Sequence, residues 1–346
     1  MKISSLSLIL AFSFSVNALH GQKEIPAKRV IAALKEKDCA AVIKMLSTVD
    51  DLNYKDNAGG TMLMYSSVYG CFDAANCLLE KGARFDLRSN DGFTALHMAS
   101  RNGHFEIAEL LLKKGAKADE LTNNGTIALY MASQKGHTKI IELLIENGAQ
   151  IDFQSAKEFT ALFIASQNGQ IEAVKLLIEK GASLDLTTSR GATALFVASS
   201  AGYAEVVKIL LVKGAKIDAM TRRGATSLFV SSQNGYPEVV KLLLEHGADI
   251  KKRTNDGFSP LLAASIKGHS EIVKLLLENN TEVDQQTDQG TTALMIAALN
   301  GHTQVVKLLL DKGANTNLKN QSGKSAADVA ANEEIRILLA NSIKKL

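Results

Sequence analysis

The sequence predicts an all-α solenoid, a stack of paired antiparallel helices joined by short β-hairpin-like turns. Three series of glycines recur at a spacing of 33 residues and keep one register along the chain. Between them, apolar residues such as Ile107, Ala108 and Leu111 follow the helical period. A long period of this kind indicates a repeat array, in which each unit buries its apolar face only against its neighbours. The glycines are Gly92, Gly125, Gly191, Gly224, Gly257, Gly290 and Gly323; Gly70, Gly103, Gly136, Gly169, Gly202, Gly235, Gly268 and Gly301; and Gly82, Gly115, Gly148, Gly181, Gly214, Gly247 and Gly313.

Residues 89 to 121 show how one unit is encoded. Thr94 predicts the N-cap of a first helix, because its hydroxyl can accept a hydrogen bond from a free backbone N–H. Gly103 predicts the end of that helix and a tight reversal, since glycine adopts the left-handed conformation without strain. The apolar run Ile107–Leu112 predicts a second helix, which ends at Gly115 after two lysines.

Three segments of this unit resemble the marks of one family. Thr94-Ala95-Leu96-His97 resembles T-P-L-H, Gly103-His104 resembles G-H and Gly115-Ala116 resembles G-A-D of the ankyrin repeat. The resemblance extends over about nine-tenths of the chain and implies about eight full repeats with a cap at each end. In that family, partners usually bind the hairpin tips and the exposed, concave side of the first helices. The resemblance therefore implies a protein-binding scaffold.

The units at the two ends of the array depart from the pattern, and we interpret them as caps. Residues 28–55 predict two helices, Lys28–Lys37 and Cys39–Ser47, that align with a repeat lacking its turn. Full repeats fill residues 56–318, and residues 319–346 form a shortened last unit with a basic tail. A stack needs such caps because its terminal faces would otherwise be exposed to water.

The first 18 residues predict a signal peptide. Lys2 precedes an apolar run from Leu6 to Val16, and small residues at Val16-Asn17-Ala18 favour cleavage after Ala18. Residues 19–27 then form a short polar linker. The run is too short to span a bilayer, so we expect a secreted or periplasmic protein, without a membrane span and monomeric. The alternative is a cytoplasmic protein with an apolar N-terminal tail.

We expect no metal site and no cofactor. His104, His137, His269 and His302 each follow a glycine that ends a first helix, one in each of four repeats. They would therefore lie in a file and not around one ion, whereas zinc ligands usually come in close pairs. We interpret them as structural residues of the turns, and we expect His97 to bond the backbone.

The chain has three cysteines, an odd number for an exported protein. A bridge between Cys39 and Cys71 is one possibility and two free thiols are the other, because sequence does not set the Cα spacing that a disulfide needs. Cys77 stands where other repeats carry leucine, so we expect a buried free thiol there.

The residues that do not repeat are the candidates for partner binding. Just before the turn-glycine position, three consecutive repeats carry a cation. Just after it, three repeats carry a phenylalanine that we expect to be exposed. Aromatic residues and arginine are favoured anchors of interfaces, and large exposed apolar groups tend to mark contacts. Local packing of each phenylalanine against the next hairpin is the alternative. The candidate residues are Phe93, Lys157, Phe159, Arg190, Arg222, Arg223 and Phe258.

No nucleophile elbow, phosphate loop or paired catalytic carboxylates stand outside the repeat pattern, so we do not expect an enzyme. The preferred function is an exported scaffold that binds a protein. One alternative is a nucleic-acid or anionic-surface binder, suggested by the cations between Lys157 and Arg223, but the net charge of +3 is small and no dense basic run exists. The second alternative is an accessory or protective factor for a secreted or periplasmic enzyme.

Two adjacent repeats depart from the consensus and predict a weak joint. Ile127 stands at the N-cap position, where no hydroxyl is then available, and Glu158 replaces the turn glycine of the next repeat. Each departure should cost about 1 kcal/mol. Because coupling in a solenoid is between neighbours, we expect the stack to be weakest here.

Overall fold

The structure, a computed structural model, describes residues 26–343, so the expected signal peptide and almost all of the linker lie outside the described residues. Residues 26–343 form 19 α-helices and no β-strand, which confirms the predicted all-α fold. No helix among them is long and apolar enough to cross a bilayer. In chain order the helices are α1 Pro26–Lys35, α2 Cys39–Met45, α3 Met62–Tyr69, α4 Phe72–Glu80, α5 Ala95–Asn102, α6 Phe105–Lys113, α7 Ala128–Lys135, α8 Thr138–Glu146, α9 Ala161–Gln167, α10 Ile171–Glu179, α11 Ala194–Ala201, α12 Ala204–Val212, α13 Ser227–Asn234, α14 Pro237–Glu245, α15 Pro260–Lys267, α16 Ser270–Glu278, α17 Ala293–Leu299, α18 Thr303–Asp311 and α19 Glu333–Ile343.

The helices alternate between two layers. The odd-numbered helices α1 to α17 are the inner helices and the even-numbered helices α2 to α18 are the outer helices; each packs on the same-layer helix of the next repeat. Leu96 of an inner helix and Ile107 and Leu111 of the following outer helix are almost fully buried between the layers. The buried residues form one cluster along the whole described chain, as neighbour-dependent stacking requires.

Hydroxyl caps begin the inner helices of seven full repeats. Thr94, for example, accepts a hydrogen bond from the backbone N–H of the third residue of α5, and Gly103 ends that helix with φ +84°. The same cap forms at Thr61, Thr160, Thr193, Thr226, Ser259 and Thr292. Ile127 makes no such bond at the start of α7, as expected, but its side chain is only 2% exposed and packs in the core.

The histidines of the expected file tie each repeat to the one before it. Nε2 of His104 lies 3.0 Å from the carbonyl oxygen of Val68, and Nε2 of His302 lies 3.0 Å from that of Ile266. A carbonyl oxygen only accepts, so each ring donates. His137 and His269 make the same contact. The structural interpretation of these histidines is therefore confirmed, and each ring joins two repeats.

Cys71 occupies the histidine position in the first full repeat and makes the same connection covalently. It forms a disulfide with Cys39 of the N-terminal cap, with Cα atoms 5.4 Å apart, within the usual range for a bridge. The alternative of two free thiols is thereby excluded for the structure. Cys77 is a free thiol, but it is half-buried and not buried as expected.

The loops opposite the hairpins supply a third connection between repeats. The backbone N–H of Gln150 donates to the carboxylate of Asp119 in the preceding repeat at 3.1 Å, and the N–H of Lys216 donates to Asp185 at 2.9 Å. These bonds place a side-chain acceptor against a backbone donor that no helix satisfies. Consecutive loops are thus held at a constant spacing.

Both caps differ in detail from the expectation. Helix α1 already includes Pro26 and Ala27, ahead of the expected start at Lys28. In the last unit, turns over residues 326–329 replace an inner helix. Ile335 and Leu339 of α19 are fully buried, and Ala326 and Ala330 of the turns are buried as well, so the turns and this helix close the stack together.

Candidate partner-binding surface

Each hairpin tip is shaped by a short hydrogen-bonded turn. In the second full repeat, the N–H of Ser89 donates to the carbonyl of Phe93 at 2.9 Å, and the N–H of Phe93 donates to the Ser89 hydroxyl at 3.1 Å. Gly92 completes the turn with φ +82°. The two residues before the glycine then project from the stack. We call the surface formed by these tips and the exposed side of the inner helices the tip face.

Consecutive tips are joined through the backbone at several junctions. The N–H of Asn123 donates to the carbonyl of Asp91 at 3.0 Å, and the N–H of Arg222 donates to that of Arg190 at 2.9 Å. Asn90, Asn255 and Gln321 donate equivalent bonds. A tip with such a bond on both sides is fixed relative to its neighbours.

The tip of residues 155–159 lacks this bond on both sides. No backbone hydrogen bond joins Ala156 to Asn124, or Ser189 to Lys157, within the described part of the chain. The same tip contains Glu158, which has φ +60°, so it adopts the left-handed conformation of the glycine it replaces. The left-handed conformation that makes a glutamate costly at this position is therefore kept, and two connections that the sequence does not reveal are missing.

Four candidate cations form a row on consecutive tips, and we call them the basic stripe. Lys157, Arg190, Arg222 and Arg223 are all exposed, and none forms an ion pair with a described residue. From residue 123 to residue 223, the two positions before each turn glycine carry no carboxylate. Asp91 and Asp256 lie on tips beyond this range. Glu158, at the glycine position itself, is the one carboxylate on these tips, so the middle of the tip face carries four cations against one anion although the whole chain is nearly neutral.

The expectation of exposed phenylalanines is wrong, because the rings are half-buried. The ring of Phe159 stacks on Phe163 with centroids 4.7 Å apart, and the ring of Phe93 meets His97 edge-on at 6.2 Å. Phe258 packs against the hydrophobic core. The first two rings lie over the side chain four residues later, on the first turn of their own inner helix. Each phenylalanine therefore packs within its own repeat and leaves part of its ring exposed on the surface.

The structure brings three of the candidate residues, Phe93, Lys157 and Phe159, around one cavity of about 340 Å³, which we call the anchor cavity. It forms because Thr126 occupies, between them, the position where the repeats on both sides carry phenylalanine. Arg190, Arg222, Arg223 and Phe258 lie outside this cavity. Its lining is Phe93, Arg101, Asn124, Thr126, Tyr130, Met131, Gln134, Ser155, Lys157 and Phe159.

Sequence reasoning does not identify the inner-helix residues of the cavity, above all Arg101 and Tyr130. The alternation Phe93, Thr126, Phe159 in successive repeats is the signal that could have located the cavity. Seeing which helix residues complete it requires the packing of three consecutive repeats.

The anchor cavity has donors and cations but no carboxylate. Arg101 is exposed and forms no ion pair with a described residue, like Lys157. The Tyr130 hydroxyl bonds no described residue, and burial raises the pKa of Tyr130, which keeps the phenol protonated and able to donate. The cavity therefore offers an apolar space bordered by positive charge, which suits an apolar group beside an anion.

A second cavity of about 550 Å³ lies on the outer layer, between α10 and α12. Ile178, Ile209 and Val212 form its apolar part, and Val212 is 67% exposed where the other full repeats carry a charged residue. Both lysines and glutamates surround this cavity, so its border carries charges of both signs and has no preferred charge. Within residues 26–343, no group of histidine, cysteine, aspartate and glutamate side chains could hold a metal ion.

Comparison with known proteins places these features in a common architecture. A family model described as "Ankyrin repeats (3 copies)" matches residues 30–121, 115–188, 182–254 and 261–345. The crystal structure of the human ASB11 ankyrin repeat domain is similar at 30% identity and a TM-score of 0.57, over 62% of this chain and 96% of that one. In all, 580 solved chains match, so the likeness concerns a fold that many proteins share. No curated protein matches the chain.

Proposed function

Because the chain belongs to the ankyrin-repeat family, whose repeats generally serve as protein-interaction scaffolds, we propose that it is an exported, non-catalytic scaffold that binds a protein partner. The partner-binding surface in this proposal is the tip face. The basic stripe is the observation that carries it. Four cations without ion pairs on consecutive tips have no role in stacking, and unpaired surface charges of one sign steer and orient a complementary partner.

Two features support export. The N-terminal 18 residues have the pattern of a signal peptide, and the Cys39–Cys71 disulfide is of the kind that persists in oxidising compartments. N-terminal sequencing of the protein from its own host should begin at Leu19 or within a few residues. Recovery of an intact Met1 chain from the cytosol would contradict export.

The binding surface is tested by partner capture with the mature chain from its native compartment. Arg222→Ala with Arg223→Ala should weaken partner affinity about tenfold, equivalent to roughly 1.4 kcal/mol, without changing the melting temperature. The matched control is Lys113→Ala with Lys114→Ala, two adjacent cations at the end of the outer helix α6. Equal affinity of the tip variant and the wild type would place the interface elsewhere.

The basic stripe also favours a second candidate, binding of nucleic acid or another anionic surface. Such binding would fall steeply with salt, because it is driven by release of counterions. The affinity of a protein complex with an apolar centre would change much less with salt concentration. Co-purification with a single stable enzyme would instead indicate the accessory or protective role.

A further inference from the structure

The anchor cavity specifies what kind of partner segment the tip face accepts. We propose that it receives one aromatic or large aliphatic side chain from an acidic segment of the partner, and that carboxylates beside this anchor bind Arg101 and Lys157. The inference rests on the proposed function, since it names the chemistry of the partner that the scaffold binds. It assigns an anchor site that spans the second, third and fourth full repeats.

The size and lining of the cavity suit a single side chain. Its volume of about 340 Å³ is at the lower end for ligand pockets, which span roughly 300–1,000 Å³. Phe93 and Phe159 form aromatic walls on two sides, and Met131 of the inner helix is almost buried between them. An aromatic or aliphatic group placed there would be desolvated on several sides, which is the property of interface hot spots.

The charge around the cavity selects an acidic segment. Arg101 and Lys157 have no ionic partner among the described residues, and no carboxylate lines the cavity. The Tyr130 hydroxyl and the Gln134 amide add donors at the same place. Beyond Lys157 the basic stripe continues over the next two tips. An extended segment anchored in the cavity would therefore meet cations along its onward path.

The wall of the cavity that carries Lys157 is the less constrained one. Phe93 belongs to a tip that has backbone bonds to both neighbours, whereas the tip of residues 155–159 has none. Gln154 Nε2 does donate to the carbonyl of Thr187 at 3.1 Å, so this hairpin is tied to the following repeat but has no backbone bond on the side of the cavity. Anchors of different size can therefore be accommodated by a shift of this tip relative to the tip that carries Thr126. The cavity is therefore expected to bind acidic segments with different anchor side chains, and not one fixed partner sequence.

A protein segment fits these features better than a nucleic acid does. Single-stranded nucleic acid needs a positively charged groove that follows its backbone, but Glu158 places a carboxylate within the basic stripe. The tips also carry only one or two cations per repeat, and the sequence pI of about 8.6 is below the range above roughly 9 that is typical of nucleic-acid-binding domains.

Selection from a phage-displayed library of random dodecapeptides, with the mature disulfide-bonded chain as bait, tests the proposal. Enriched peptides should carry several acidic residues beside one aromatic or large aliphatic residue. Thr126→Phe fills the cavity with the residue that both flanking repeats carry, and it should weaken binding of the enriched peptides about tenfold or more. Lys157→Glu should weaken it as well.

Thr291→Phe is the matched control, because Thr291 occupies the same position of a distant repeat and has the same hairpin bond from its N–H. It should leave peptide binding unchanged, and circular dichroism of both variants should match the wild type. Enrichment of neutral or basic peptides, of peptides without an apolar anchor, or of none would overturn the proposal. Unchanged binding by Thr126→Phe would overturn it too.

Two further outcomes separate this inference from the proposed function. If a native protein partner depends on Arg222 and Arg223 but binds Thr126→Phe as well as the wild type, the scaffold function holds and the anchor site does not. If labelled oligouridine binds more tightly than the acidic peptides and loses affinity with Lys157→Glu, the tip face is a nucleic-acid surface and both proposals fail.

Discussion

His97 is kept neutral by its surroundings in the folded chain. Its side chain is 1% exposed, and Nδ1 accepts from the Thr94 N–H at 3.2 Å while Nε2 donates to the carbonyl of Glu120 at 2.9 Å. Burial is the main cause that lowers the pKa of His97 from 6.5 to about 4. Protonation of the folded chain would remove the acceptor that Thr94 uses and place an unpaired charge in the core.

We therefore expect acid to destabilise the protein through His97. The folded chain binds a proton less readily than the unfolded chain, so this part of the stability is complete above about pH 6.5 and is lost as the pH falls towards 4, by roughly 3 kcal/mol. Urea unfolding at several pH values measures it. His97→Met, with the residue that Met295 supplies at the same position, should flatten the pH dependence; an unchanged slope would show that other groups cause it.

Glu158→Gly should stabilise the chain by about 1 kcal/mol, because a non-glycine residue with φ +60° carries a steric penalty of roughly 1–2 kcal/mol. Asn280→Gly is the control: Asn280 also has φ +60°, but asparagine tolerates this conformation better, so its gain should be smaller. Thermal unfolding of both variants gives the comparison. Equal or absent gains would show that the strain at Glu158 is relieved by its neighbours.

The sequence predicts some properties of single residues and misses others. The missing hydroxyl at Ile127 is evident from the sequence, which predicts that Ile127→Thr together with Glu158→Gly raises the melting temperature. The structure leaves only the Glu158 part of that expectation, since Ile127 is 2% exposed and threonine would bury less apolar surface, which offsets a cap worth about 1 kcal/mol. Burial of a cap position depends on the neighbouring repeats, which no local pattern reports.

The tips differ from one another as elements, although their sequences look alike. The N–H groups of Asn123 and Arg222 are bonded to the preceding tip, whereas those of Ala156 and Ser189 are not. We expect the amides of Ala156 and Ser189 to exchange with deuterium at least several-fold faster than the other two. Exchange read by NMR resolves the four positions. Similar protection at all four would mean that stacking fixes every tip regardless of these bonds.

The inner helices carry a file of buried serines at one repeat position. Ser100, Ser133, Ser166, Ser199, Ser232 and Ser265 are fully buried, and their hydroxyls bond no described residue. Ser67, at the same position, donates to the carbonyl of Leu63 at 2.8 Å.

Ser166→Ala should therefore stabilise the chain by about 1 kcal/mol, since it removes an unpaired buried hydroxyl. Ser67→Ala should give no such gain, because its hydroxyl is already bonded. Urea unfolding of the two variants measures the difference, and a greater loss with Ser166→Ala than with Ser67→Ala would contradict the assignment.

At the scale of elements, the sequence predicts the helices well and the surface poorly. The glycine register and the apolar period place every inner and outer helix of the full repeats. The anchor cavity escapes prediction because it depends on Thr126 lying between two phenylalanines and on Arg101 and Tyr130 projecting into the same space. The half-burial of Phe93 and Phe159 likewise follows from packing of each ring against its own inner helix. The sequence does not show this packing, because it places both residues at turn positions that are expected to be exposed.

At the scale of the molecule, the disulfide makes the N-terminal end the better-held end of the stack. Removing the bridge by Cys39→Ser with Cys71→Ser should lower the free energy of unfolding of the cap and first repeat by roughly 2–4 kcal/mol, because the loop of 32 residues is no longer closed. Hydrogen exchange should show the loss confined to residues before about 90, since coupling passes only between neighbours. A loss spread evenly over the stack would contradict this.

The histidine, tip and loop connections between repeats share one direction. The histidine rings donate to carbonyls 36 residues earlier, and the tip and loop N–H groups likewise donate to acceptors in the preceding repeat. A repeat that has just left a ribosome or a secretion channel thus finds the acceptors for these bonds already in place on the unit made before it. The array can be assembled in the order of its synthesis, one repeat at a time, without waiting for the C-terminal end to appear.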